Sequence, residues 1–229
     1  ISGEIAFRLK ESLGLPLEIS QEIAAAAGKE IDVDKYELLM NEHQEKSRAG
    51  GEKKFVGGLG DHSDESIRFH TCAHLFLAGA KKILGEDVNQ KGQNITPERL
   101  RYDINFATAI PQDKLQEIEN WVNEKINEDL KVDFIETTLE DASNYGIHGM
   151  FGDKYEKLDT VKIYRIYPKD SGVNESKLVE EDKSKYVSLE FCGGPHVSFT
   201  SEIAQFGKFK ITKEESSSQG VRRIKAVLV

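Results

Sequence analysis

Apolar residues change their period along this chain, and the changes divide it. In residues 1 to 50, Ile5, Phe7, Leu9 and Leu13 lead to a break at Gly14 and Pro16. Ile19 to Ala27 reads as a second short helix closed by Gly28. Asp34 to Ala49 reads as a third, carrying Tyr36, Leu38, Leu39 and Met40. Gly50-Gly51 stops it. Residues 51 to 64 mix glycine with charge and read as a linker, which predicts a helical domain at 1–50 and a second domain at 65–229.

Ser63 or Asp64 caps the next helix, which runs to about Leu84 with Gly85 as its stop. On it Ile67, His70, His74, Leu77 and Ala78 lie near one face, while Cys72 points away as a small buried hydrophobe. Leu100 to Phe106 alternates with period two, the mark of a half-buried strand. Pro111 opens a helix with Leu115, Ile118, Val122, Ile126 and Leu130 at helical spacing. Strands follow at Val132 to Ile135, Val161 to Tyr167 and Tyr186 to Phe191, with a helical turn from Leu139 to near Gly146. Two last strands, Phe206 to Ile211 and Val221 to Val229, flank the turn Ser216-Ser217-Ser218. This order predicts an α+β fold: an N-terminal helical segment, then a sandwich of a mainly antiparallel sheet and helices.

Composition narrows the function classes. No apolar run spans a bilayer, and the start, Ile-Ser-Gly-Glu, has neither a signal peptide nor an initiator methionine, so a cut piece of a longer cytoplasmic chain is expected. Two cysteines, Cys72 and Cys192, leave no disulfide if one is a ligand. A net charge of −9 argues against non-specific nucleic-acid binding and against DNA as a partner. From Gly207 to Val229, however, six Lys or Arg face two Glu, enough for a local basic patch or simply a solvated strand edge.

The candidate chemistry sits in two stretches far apart. His70 and His74 are four residues apart on a helix, so both imidazoles reach one ion. Cys192-Gly193-Gly194-Pro195-His196 folds tightly enough for its own two donors to converge. A thiolate with three imidazoles suits Zn2+ better than Mg2+ or Ca2+. With all four bound the ion is closed and structural; with one loose, an open position takes water or substrate. The plainer alternative is a set of core and surface histidines.

These stretches resemble a known family. His70-Thr71-Cys72-Ala73-His74-Leu75, Val88-Asn89-Gln90-Lys91-Gly92 and Ile95-Thr96-Pro97-Glu98-Arg99-Leu100-Arg101-Tyr102-Asp103 resemble the editing domain of alanyl-tRNA synthetases. Phe151-Gly152-Asp153-Lys154-Tyr155, Cys192 to Val197 and Gly220-Val221-Arg222-Arg223-Ile224 continue the match in order. Ala6-Phe7-Arg8-Leu9 and Gly14 to Ile19 resemble the end of the helical tRNA-recognition domain. The resemblance is to a reduced bacterial form, with a domain of the threonyl/alanyl-tRNA synthetase second-additional type. Pro195 stands where the family has Thr, as in threonyl-tRNA synthetases, and Asn105-Phe106 where it has Ser-His. The glycine-rich barrel before the HxxxH helix is missing.

The resemblance implies hydrolysis of serine or glycine mischarged on alanine tRNA, alongside the rest of a synthetase chain. It assigns Zn2+ to His70, His74, Cys192 and His196. It places Gln90 beside the bound amino acid, and Asp103 where it could orient a zinc histidine. Lys154, Tyr155, Arg222 and Arg223 become tRNA contacts, by charge or by stacking. A zinc-stabilised tRNA-binding module without catalysis is the alternative, and threonine-type editing a narrower one.

Overall fold

The computed structural model describes residues 1–13, 15–52, 59, 61–145, 147 and 160–229. Two compact units make up the chain, Ile1–Phe55 and Val56–Val229. The first holds α1 (Gly3–Leu13), α2 (Leu17–Ala26) and α3 (Val33–Glu52). Pro16 suits the start of α2 because its ring fixes φ, here −60°, and it has no N–H to leave unpaired. Ala6, Ala24 and Tyr36 are buried, whereas Ile5, Ile19, Ile23 and Leu38 stay exposed.

The second unit is built on α4 (Asp64–Leu84). Ser63 caps it, its hydroxyl accepting the Ser66 N–H at 3.3 Å, a contact worth roughly 0.5–2 kcal/mol. Thirteen of its 21 residues are buried, more than one apolar stripe would require, so the helix is wrapped rather than laid on a surface. After it come β1 (Gln90–Thr96), β2 (Arg99–Asn105), α5 (Gln112–Asn127), β3 (Lys131–Thr137), α6 (Leu139–Asn144) and β4 (Val161–Tyr167). Then follow β5 (Ser188–Phe191), one helical turn at Ser201–Ala204, β6 (Phe209–Ser218) and β7 (Val221–Leu228).

The strands form two antiparallel sheets, one ordered β1-β2-β7-β6 and the other β3-β4-β5. Leu100, Tyr102 and Ile104 of β2, with Ile224 and Ala226 of β7, turn one face of the larger sheet into the core. Phe76 of α4 meets Tyr102 edge to face, ring centres 5.4 Å apart. Helix α4 packs on β1, β2, β5 and α5, and so touches both sheets. The α+β expectation therefore holds, with its single sheet split in two. Strand β1 was not expected, because Gln90-Lys91-Gly92-Gln93-Asn94-Ile95-Thr96 buries only Ile95. The serines expected in a turn belong to edge strand β6; the turn lies beyond, where Gly220 takes φ +70°. Among the described residues no helix is long and apolar enough to cross a membrane.

Candidate metal centre

Four donors converge inside the second unit. Helix α4 brings His70 and His74 on one face, one turn apart, and the loop after β5 brings Cys192 and His196 against them. Their ligand atoms all lie within 4.8 Å of one another. Cys192 Sγ stands 3.2 Å from His70 Nε2 and 3.3 Å from His196 Nε2. The rings of His70 and His196 stack at 4.1 Å between centres. The loop comes this close because Gly194 has no side chain: a Cβ there would meet His70 Cε1 at 2.4 Å.

Each imidazole has a group facing its outer nitrogen. His70 Nδ1 donates to the Pro195 carbonyl at 3.0 Å, which leaves Nε2 as a lone pair. Thr71 donates its hydroxyl to the Ile67 carbonyl and accepts from the Val197 amide, so it can also accept His196 Nδ1–H at 3.2 Å. His196 then likewise presents Nε2. The third ring, His74, turns Nδ1 toward Glu190 Oε1 at 3.5 Å, and that buried nitrogen has no hydrogen-bond partner. At His70 and His196 the outer nitrogen is locked and the inner one is left as a lone pair, the arrangement a cation needs.

Electrostatics agree with the geometry. Burial lowers His70 to about 3 and His74 to about 4, with the neighbouring His74 charge adding to the fall at His70. Burial also takes His196 well below the ordinary imidazole range. Three neutral imidazoles are three donors. Burial pushes the Cys192 thiol up to about 12, while the Gly194 and Gly193 amides pull it the other way. Left alone the thiol keeps its proton; a divalent cation would remove it. Three buried imidazoles and one thiol, whose single proton can serve only one of the two rings beside it, fit a metal ion and fit an apolar core poorly. Cys72 sits in the core instead, its thiol held protonated by burial.

The other expected site residues scatter. Gln90, at the start of β1, lines a cleft of about 520 Å3 with Leu77, Lys81, Tyr186, Glu190 and Phe191. Burial raises Glu190 to about 7, against the pull of the Ser188 hydroxyl at 2.8 Å. Asp103 does not orient a histidine. Strand alternation turns it to the sheet face away from Tyr102 and Ile104, where Arg223 grips it through two bonds of 2.9 and 2.8 Å. Arg222 and Arg223 do not form one patch either: as strand neighbours they point to opposite faces, and Arg222 pairs with Glu214. Lys154 and Tyr155 lie outside the described residues. Sequence reasoning passed over Thr71 and Glu190. The signal for both was proximity, a hydroxyl beside His70 and a strand carboxylate two residues before Cys192.

Two stretches of the chain match known protein families. Residues 161–225 match the family described as threonyl and alanyl tRNA synthetase second additional domain. Residues 1–78 match tRNA synthetases class II (A). The alanine-tRNA ligase of Treponema denticola is 40% identical over 228 residues, covering 100% of this chain and 34% of that protein. That of Borrelia hermsii is 41% identical over 229 residues, covering 100% of this chain and 35% of its own length. The Thermotoga petrophila ligase is 37% identical over 164 residues, 72% of this chain and 16% of that protein. The chain thus spans about a third of the length of the first two relatives. With both family matches in the ligases' own company and alignment along its whole length, the chain belongs to the alanine-tRNA ligase family.

Proposed function

We propose that the second unit hydrolyses the ester joining serine or glycine to the terminal ribose of alanine tRNA. Water adds to the ester carbonyl carbon, the bond from that carbon to the ribose oxygen breaks, and the ribose oxygen takes up a proton. Free amino acid and intact tRNA leave. The need is physical, since a pocket shaped for alanine cannot reject glycine by size and rejects an added hydroxyl only weakly. One observation carries the reading: Glu190 both faces His74 and lines the cleft that holds Gln90, so the donor cluster and the cleft share a wall.

Zn2+ is the ion this donor set suits; bound there it would hold the thiolate ionised and polarise a carbonyl brought near it. The chain's own residues do the rest. The Gln90 amide offers a hydrogen bond to the serine hydroxyl, which alanine lacks, and Lys81 brings positive charge to the cleft mouth for a tRNA end. Exposed Ile5, Ile19, Ile23 and Leu38 give the helical unit apolar surface for the rest of a ligase chain. Such a role belongs to the cytoplasm.

Metal-loaded protein should release serine from Ser-tRNA(Ala) faster than alanine from Ala-tRNA(Ala). Gln90→Leu should slow serine release several-fold, the worth of one hydrogen bond of about 0.5–1.5 kcal/mol, and slow glycine release less. No release above the buffer rate by folded, metal-loaded protein would leave the second reading: a zinc-stabilised tRNA-binding unit without hydrolysis. Its support is the donor count, since four protein ligands fill a tetrahedral ion.

A further inference from the structure

Strand alternation gives the larger sheet a second face, turned away from α4 and α5. The cross-strand pairs Arg101 with Lys225, Asp103 with Arg223, Lys213 with Lys225 and Glu215 with Arg223 all lie on it, as does Arg99. Lys210, opposite Val227, lies there as well, so six cations meet two carboxylates on a chain whose net charge is −9. The carboxylates are already engaged. Asp103 holds Arg223 through two bonds, and Glu215 sits between Lys213 at 2.5 Å and Lys225 at 2.8 Å.

Arg101 is left over. Among the described residues its guanidinium makes no hydrogen bond and no ion pair, although the residue is half-buried and its Nε is shielded from solvent. Arg99 reaches only Asn94 Oδ1, at 3.0 Å, and its Nη1 is also buried without a partner. Burial, then the charges of Arg223 and Arg99, hold the Arg101 guanidinium below the usual arginine range, against the opposing charge of Asp103. A purely structural cluster would complete itself, as Arg223 does with Asp103. Two adjacent guanidinium groups with unused, desolvated N–H donors instead match an acceptor of delocalised negative charge.

We propose that this sheet face docks the phosphate backbone of RNA, with Arg99 and Arg101 at its centre. The proposal rests on the tRNA reading above for the identity of the polyanion, and on the sheet alone for its place. Backbone phosphates accept such donors in pairs, and an A-form RNA is met mainly through its phosphates and 2′-hydroxyls.

The test is binding of labelled alanine tRNA to the full metal-loaded chain between about 50 and 200 mM salt. The double variant Arg99→Gln/Arg101→Gln should bind at least ten-fold more weakly at low salt. Its plot of log affinity against log salt should be shallower by about 2, one per lost phosphate contact. Lys114→Gln, on the solvent side of α5, should change neither quantity. A double variant with normal metal content and near-ultraviolet dichroism that keeps both affinity and slope would overturn the proposal. If the variant does not fold, the unaltered protein decides. RNA should protect Arg101 from phenylglyoxal, and equal modification with and without RNA would overturn it. Serine release is read in the same samples, so the two ideas fail separately. Binding through this face without release sinks only the hydrolase reading. Release with an unaltered double variant sinks only the docking face.

Discussion

Two buried polar clusters lie close together in the second unit, and only one of them is complete. Arg165 on β4 is fully buried, yet every side of its guanidinium is met. Its Nε and Nη2 donate to the two oxygens of Asp133 at 2.7 and 2.8 Å, and Nη1 and Nη2 reach the carbonyls of Asn174 and Glu175 at 2.8 and 3.1 Å. Tyr167 adds its hydroxyl to Asp133 at 2.6 Å. The donor cluster of His70, His74, Cys192 and His196 is the reverse case, with lone pairs pointing inward and His74 Nδ1 unpaired. A node that closes on itself is scaffold. A node that gathers four buried donors and leaves one of their nitrogens unpaired is half of something, and a cation would complete it.

Removing a donor should therefore have the largest effect. Cys192→Ala, like His74→Ala, should take metal content from about one ion per chain to near none. It should also lower the unfolding free energy of the second unit by several kcal/mol, since metal affinity becomes folding energy. Full metal occupancy in Cys192→Ala would remove that residue from the ligand set. Acid should expose the same dependence once the metal is stripped. The folded imidazoles of His70 and His74 titrate near 3 and 4 rather than 6.5, so below about 6.5 the unfolded chain binds protons first. Stability from these rings is complete above 6.5 and is lost as pH falls through the folded values, with a slope of about 1.4 kcal/mol per pH unit for each. A flat profile between pH 7 and 5 would contradict the burial of neutral rings.

The two clusters were not equally legible. His70 and His74 share a face by helical spacing alone, and Cys192 and His196 converge because a short glycine loop can do little else; both facts are local. The partnership of Asp133 with Arg165 is a matter of register between β3 and β4, which places them directly opposite across 32 positions of chain. No periodicity encodes that pairing. The same reason hid the bond between Asp103 and Arg223, two residues given separate roles until the β2–β7 register set them side by side. Strand β1 escaped because a strand with one buried apolar residue carries no alternation to read. Arg222 and Arg223 are a different lesson, since neighbours on a strand must face opposite ways once the strand is recognised.

Breaking the complete cluster should cost less than emptying the other, and should leave the metal alone. Arg165→Leu strands the Asp133 carboxylate, for an expected loss of about 3 kcal/mol. That is the low end for a broken buried pair, because the Asp133 side chain keeps 22% of its exposure. Adding Asp133→Leu should recover most of the loss, because apolar side chains of similar size need no counter-charge. Metal content should stay at about one ion per chain in both variants, measured by plasma emission beside urea denaturation. Metal lost with Arg165 would mean that the clusters fold as one unit and that the comparison is false.

Thr71→Val is the finest cut between them, since it keeps all four donors and changes only what stands behind one. The Thr71 hydroxyl has one proton, given to the Ile67 carbonyl, and two acceptor positions, taken by the Val197 amide and His196 Nδ1–H. Valine is nearly the same shape and offers neither position. The imidazole of His196 then has nothing to fix which nitrogen carries the proton, so Nε2 faces the ion only part of the time. Losses of outer partners of this kind lower metal affinity roughly 10–100-fold. Competition with a chromophoric chelator should read a shift of that size, while the unfolding free energy of the metal-saturated protein, read by urea denaturation, falls by only about 1 kcal/mol for the lost hydrogen bonds. Equal falls in affinity and in saturated stability would say that Thr71 supports the helix, not the ligand. An unchanged affinity would say that the His196 tautomer is fixed by the ion itself.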